Sequence, residues 1–133
     1  MVVRKYLAVF LLAMILLPSC KNRGTIEKSE EGVSIAVFIP GVMAGSAIYE
    51  MLAEGTEKAA SDFAASNPGQ APAVTVIEGG FNQAEWEGQI TTLAASLSYD
   101  LIVTSNPSMP VLVSSVSEKF PNQKFLLLDA ELE

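Results

Sequence analysis

The sequence predicts an α/β fold, a mainly parallel sheet with helices on both faces. Short apolar runs rich in β-branched residues recur four times between Val33 and Leu128, and three segments with helical spacing separate them. Asn, Ser, Gly and Pro stand at the junctions. Strands alternating with helices imply βαβ units, whose right-handed crossovers place helices on either side of a parallel sheet.

Each element follows from its own residues. Val33 to Ile39 (VSIAVFI) is nearly continuous in apolar residues, as a strand covered on both faces requires. Ser46 to Ser66 reads as a helix with Ile48, Leu52, Gly55, Ala59 and Phe63 turned inward. Ser46 can cap its first amides, and Glu50 lies in the first turn, where the helix dipole favours an anion. Asn67-Pro68-Gly69 ends it, and Ala73 to Ile77 (AVTVI) is the second strand. Asn82 with Glu85 caps a second helix that carries Trp86, Ile90, Leu93 and Leu97 on one face. Leu101 to Thr104 is the third strand. Asn106 or Ser108, with Pro107 or Pro110 in the first turn, opens a third helix with Leu112, Val116 and Phe120 inward. Pro121 closes that helix, and Lys124 to Leu128 (KFLLL) is the last strand. Trp86 and the methionines read as core, apart from Met14 in the N-terminal segment. The chain runs five residues past Leu128 without a further helix, which predicts a piece of a larger protein.

The N-terminus has a different character. Arg4 and Lys5 precede an unbroken apolar run from Tyr6 to Leu17, and Leu17-Pro18-Ser19-Cys20 follows. A positive start, an apolar stretch of about 7–15 residues and a small-residue cleavage site describe a secretory signal. The run is too short for a membrane-spanning helix, which needs about 20 apolar residues. The tetrapeptide resembles the lipobox of bacterial lipoproteins, whose cysteine takes a diacylglycerol before cleavage. We therefore expect a signal peptide over 1–19 and a lipidated Cys20 heading a flexible polar tether over 20–32. A partial solute-binding lobe would then span 33–133. The expected location is the exported side of a cell membrane or outer membrane, held by lipid.

Composition narrows the chemistry. Cleavage before Cys20 removes Arg4 and Lys5, leaving six basic and fifteen acidic residues, a net charge of −9. An acidic surface repels phosphate backbones and disfavours nucleic acid as a partner. The sequence contains no histidine, and its single cysteine is assigned to lipid. The commonest general base, the commonest metal ligand and a free thiol are thus all missing, and we expect no enzymatic activity, metal or cofactor. Gly41 and Gly45 stand in a G-x-x-x-G-S pattern, without the spacing of a dinucleotide fingerprint or the ending of a P-loop.

In an open parallel sheet, ligands bind beyond the carboxyl ends of the strands. Residues 40–46, 78–82, 104–108 and Asp129 gather there. Gly45, Ser46, Tyr49, Phe81, Asn82, Ser105, Asn106 and Asp129 are the candidate ligand-binding residues. They suit a polar small molecule with a flat ring, bound by hydrogen bonds and some stacking. Asn82, Asn106 and Ser108 serve equally as helix caps. Asp129 leans toward function, since a carboxylate ending a buried strand needs a partner.

A lipobox, a tether, Ala53-Glu54-Gly55 and the stretch Tyr99 to Ala130 (YDLIVTSNPSMPVLVSSVSEKFPNQKFLLLDA) together resemble the basic membrane protein family. The pieces Tyr99-Asp100-Leu101-Ile102 and Phe120-Pro121, with Lys124, Phe125 and Asp129, carry the likeness. The family comprises lipoprotein solute-binding components of ABC importers, several of them for purine nucleosides. The resemblance implies a first-lobe portion of a periplasmic-binding-protein-like (type I) fold. It also implies a nucleoside-like solute and an ABC permease as partners, with Asp129 as a hydrogen-bond partner of the base. The first loop (PGVMAGSAIYE) lacks the family's aspartate and phenylalanine, and Tyr49 falls close to the place of the latter. The alternative is a surface lipoprotein whose α/β domain contacts macromolecules and has lost its solute site.

Overall fold

The structure, a computed structural model, describes residues 32–130. The expected signal peptide, Cys20 and nearly all of the tether lie outside the described residues. Four strands, β1 (Ser34–Ile39), β2 (Ala73–Glu78), β3 (Leu101–Ser105) and β4 (Lys124–Leu128), form one sheet in the order β2-β1-β3-β4. Every pairing is parallel. Between them run α1 (Ala47–Ser66), α2 (Gln83–Ser96) and α3 (Met109–Lys119).

The sheet divides the core in two. Ala36 and Phe38 of β1 and Ile102 of β3 point to one face, where Trp86, Ile90 and Ala94 of α2 and Met109, Val113 and Val116 of α3 cover them. Val37, Ile39 and Val103 point to the other face and meet Leu52 of α1. This is the expected α/β architecture, and the strands begin and end within about one residue of their sequence-based limits. The helix starts follow from their caps. The Ser46 hydroxyl accepts from the Tyr49 amide at 3.4 Å, and the Asn82 side chain accepts from the Ala84 amide at 3.3 Å. Asn82 also donates to Glu85 at 2.8 Å. Asn67 ends α1, its amide bonded to the Phe63 and Ala64 carbonyls.

Four expectations need correction. Of the stripe assigned inward on α1, only Leu52 is buried, while Ile48, Gly55, Ala59 and Phe63 are exposed and Ala53 and Ala60 take their place. The apolar surface of α1 is wider than the part of the sheet beneath it, so one flank remains uncovered. Met51, read as core, is exposed on that flank for the same reason. Leu97 is not on the packed face of α2 but terminates it in a left-handed conformation (φ 54°), which swings its side chain out to 73 % exposure. Neither Asn106 nor Ser108 places a side-chain cap on α3. Asn106 Oδ1 instead accepts from the Ser108 amide at 2.8 Å and shapes the loop.

On the covered face, α2 and α3 are clasped through Glu87. Its carboxylate accepts from Ser115 Oγ at 2.8 Å and from Lys119 Nζ at 3.1 Å. The Ser115 hydrogen bond, then the Lys119 hydrogen bond and charge, hold the carboxyl below the usual carboxylate range. A lowered folded-state pKa means that the clasp contributes above the ordinary glutamate range and is lost as pH falls through the lower folded value. Carboxyl chemical shifts followed on acidification should therefore show a lower midpoint for Glu87 than for a glutamate in an unstructured peptide. Coincident midpoints would mean that the clasp is open in solution.

Candidate functional site

The loops after β1 and β3 run to opposite faces of the sheet, α1 to one and α3 to the other. A crevice opens where adjacent strands diverge in this way, and it is the usual ligand position in open α/β sheets. Here it lies between β1 and β3, at their carboxyl ends. One hydrogen bond spans it: Asn106 Nδ2 donates to Tyr49 Oη at 3.1 Å. Tyr49 Oη in turn donates to the Pro40 carbonyl at 2.9 Å. The ring also lies against Gly41, where an added Cβ would come within 2.9 Å of it. Tyr49 is thus anchored at one end and along one edge, which pre-organises the crevice wall.

Ser46, Ile48, Tyr49, Ser105, Asn106, Pro107 and Asp129 line a cavity of about 170 Å³ at this point. Five of the eight candidate residues therefore come together, from the first, third and fourth strand ends. Gly45 adjoins Ser46 with φ 80°, a conformation that glycine adopts without strain. Phe81 and Asn82 do not line the cavity. They belong to the loop after β2, the outer strand, and Phe81 is 87 % exposed.

The polar groups are unevenly satisfied. Ser105 is 3 % exposed, and its hydroxyl has no hydrogen-bond partner among the described residues. Thr104 Oγ1, one residue earlier, is buried and unpartnered as well. A buried hydroxyl without a partner costs about 1–3 kcal/mol, so a group that can accept or donate there binds favourably. Asn106 and Asp129 both hold positive φ, 115° and 53°, which is costly for residues with a side chain. Asp129 is exposed, against the expectation that it ends a buried strand, because β4 is the sheet edge and only half covered. It faces the cavity from the rim.

Two features escaped the sequence reading. Glu78, the first residue of the 78–82 segment, accepts the Met43 amide at 2.9 Å and ties the first loop to the second. Gly79 is packed so tightly that a Cβ would lie 2.7 Å from Phe38 and 3.0 Å from Trp86. The Gly79-Gly80 pair was its only signal. Across the described residues the cations are Lys58, Lys119 and Lys124. Lys58 pairs with Asp62 well along α1, Lys119 ends α3, and Lys124 begins β4 at the opposite edge of the sheet. No cationic side chain of the described residues reaches the carboxyl edge, and no three His, Cys, Asp or Glu residues gather there to hold a metal.

A parallel sheet with helices on both faces and a crevice at its switch point defines part of a periplasmic-binding-protein-like lobe. Residues 32–133 match the family of PnrA-like ABC transporter substrate-binding proteins (Bmp), and the chain belongs to that family. Its fold is similar to that in a crystal structure of a fragment assigned as a lipoprotein from Peptoclostridium difficile 630. The two share 19 % sequence identity with a TM-score of 0.54, over 74 % of this chain and 75 % of that one. Among the described residues no helix is long and apolar enough to cross a membrane.

Proposed function

We propose that this chain is the membrane-anchored solute-binding subunit of an ABC importer, with an uncharged nucleoside-like molecule as its solute. Its anchor is lipid on Cys20 after removal of residues 1–19, and residues 33–133 form part of the first of two lobes. The protein captures and delivers a solute and performs no covalent chemistry. One observation carries the reading of the site: the buried, unpartnered Ser105 hydroxyl in a crevice shared with Tyr49, Asn106 and Asp129. Ser105 and Asp129 supply hydrogen bonds, Tyr49 a ring edge, and Ser46 and Gly45 close backbone approach; Phe81 and Asn82 form the outer rim. The absence of cations at this edge among the described residues favours a neutral solute over a phosphorylated one.

Calorimetric titration of the full-length, two-lobed protein with a panel of nucleosides, sugars and amino acids tests the reading. Where a solute binds, Asp129→Ala and Ser105→Ala should each weaken it by about 1–3 kcal/mol, the scale for an unsatisfied buried partner. Affinities equal to wild type would remove both residues from the site. Residues 21–133 alone should bind no better than about millimolar, some 4 kcal/mol, because one lobe leaves the far side of the ligand in water. The small cavity favours a second reading, an α/β interaction domain on a lipoprotein, since pockets for small molecules usually measure about 300–1,000 Å³. Failure of every panel member to bind would select it.

A further inference from the structure

The first loop, residues 40–46, has no helix or strand of its own and contains two glycines, Gly41 and Gly45. Glycine gives up more conformational freedom on folding than any other residue, so such a loop keeps one shape only where it is tied down. This loop nevertheless builds one wall of the crevice. Ser46 lines the cavity and caps α1. The Tyr49 ring is held by the loop's own atoms, the Pro40 carbonyl at one end and Gly41 along one edge. Whatever fixes the loop therefore fixes the wall.

The ties come from the segment after β2. The Gly79 amide donates to the Ile39 carbonyl at 2.7 Å, and the Gly80 amide donates to the Gly41 carbonyl at 2.9 Å. These two bonds hold only the start of the loop. Among the described residues, the one side chain that ties down its second half is Glu78, whose carboxylate accepts the Met43 amide at 2.9 Å. A carboxylate acceptor makes a stronger hydrogen bond than a neutral one. From Met43 the bonding continues inward. The Met43 carbonyl accepts the Ser46 amide at 2.9 Å, and Ser46 Oγ accepts the Tyr49 amide at 3.4 Å. Tyr49 Oη then accepts from Asn106 across the crevice at 3.1 Å.

The segment that carries Glu78 is itself firmly held. Gln89 Nε2 donates to the Gly79 carbonyl at 3.2 Å, and Trp86 Nε1 donates to the Gly80 carbonyl at 3.0 Å. Gly79 lies against Phe38 and Trp86 without room for a side chain. Glu78 ends β2, in register with Ile39 of β1. It is a fixed post beside a loop that needs fastening, and it does not itself line the cavity. We propose that Glu78 is a positioning residue of the solute crevice. Its bond to the Met43 amide holds residues 43–46 in the turn that sets Ser46 and Tyr49 in the crevice wall. The inference rests on the reading of that crevice as the solute site.

Hydrogen–deuterium exchange of the full-length protein, read by mass spectrometry on peptides covering residues 40–49, tests the positioning without a solute. Glu78→Ala is expected to accelerate exchange there by about tenfold, the scale of one lost hydrogen bond. Exchange across β3 should stay unchanged. Glu78→Gln keeps an acceptor oxygen and should restore most of the protection. Unchanged exchange in Glu78→Ala would overturn the proposal. So would equal acceleration by the two variants, or an acceleration that extends through β3 and makes Glu78 a general stabiliser of the domain. Titration of the same proteins with adenosine carries the test to binding. Where the wild-type protein binds adenosine, Glu78→Ala should raise Kd by about fivefold or more, while Glu78→Gln stays close to wild type. An unchanged Kd in Glu78→Ala beside faster exchange would also overturn the proposal. Absence of binding by the wild-type protein would count against the nucleoside reading alone, and the exchange comparison would still decide whether Glu78 holds the wall.

Discussion

Replacing Trp86 with alanine is expected to destabilise the folded domain by about 3–5 kcal/mol, the range for deleting a buried aromatic ring. The ring is almost fully buried between α2 and the sheet, packed with Phe38 and Ile90. Gly79 approaches it so closely that no side chain fits between them. Its removal leaves a cavity that the rigid β1 strand cannot collapse to fill. The indole also donates to the Gly80 carbonyl at 3.0 Å and so holds the loop after β2. Domains of this size have about 5–15 kcal/mol in total, so the variant should be near unfolding at room temperature. Trp86→Phe keeps most of the volume and loses the hydrogen bond, and should cost less. Urea denaturation followed by circular dichroism measures both, since Trp86 is the only tryptophan and fluorescence would vanish with it. A loss under about 1 kcal/mol for the alanine variant would show that the covered face is loosely packed.

Replacing Cys20 with alanine should abolish lipid labelling and leave uncleaved precursor in the membrane fraction. The effect is all-or-none because a thioether to lipid has no substitute in alanine, and the only other cysteine the chain could use does not exist. Cells fed a labelled fatty acid should incorporate it into the wild-type chain alone, and the variant should accumulate with residues 1–19 attached. Anchoring by burial of acyl methylenes stabilises membrane association by about 0.8 kcal/mol for each one buried. Equal labelling of the two proteins would remove the lipid anchor from the proposed function. It would leave the family membership of residues 32–133 untouched.

Much of the fold was legible because its signals are local. The β-branched runs at Ser34–Ile39 and Leu101–Ser105 are short and continuous, and only a strand buried on both faces uses such a run economically. Ser46 and Asn82 announced their helices through side chains that reach the first free amides. Leu97 and the flank of α1 were not legible in the same way. Helical spacing says which residues share a face, but not whether a neighbour covers all of that face. At Leu97 the spacing continued one residue past the point where the backbone turned left-handed.

The candidate site divides along the same line. Glycines, serines and amides in the segments after each strand were readable as a set, because strand–helix junctions need them and ligands use the same edge. Which of them meet was decided by the strand order. With β1 beside β3, the loops bearing Tyr49 and Asn106 approach within a hydrogen bond, while Phe81 follows the outer strand and stays outside the cavity. Asp129 was assigned from a burial that β4, as an edge strand, does not have. By itself the sequence determined the order and type of the elements, the acidic balance, the lack of histidine and the family. Each is a property of residues close together in the chain or of composition. The tertiary structure alone decided the crevice between β1 and β3, the unpartnered Ser105 hydroxyl and the uncovered flank of α1. Those depend on contacts between residues dozens of positions apart, for which local pattern carries no information.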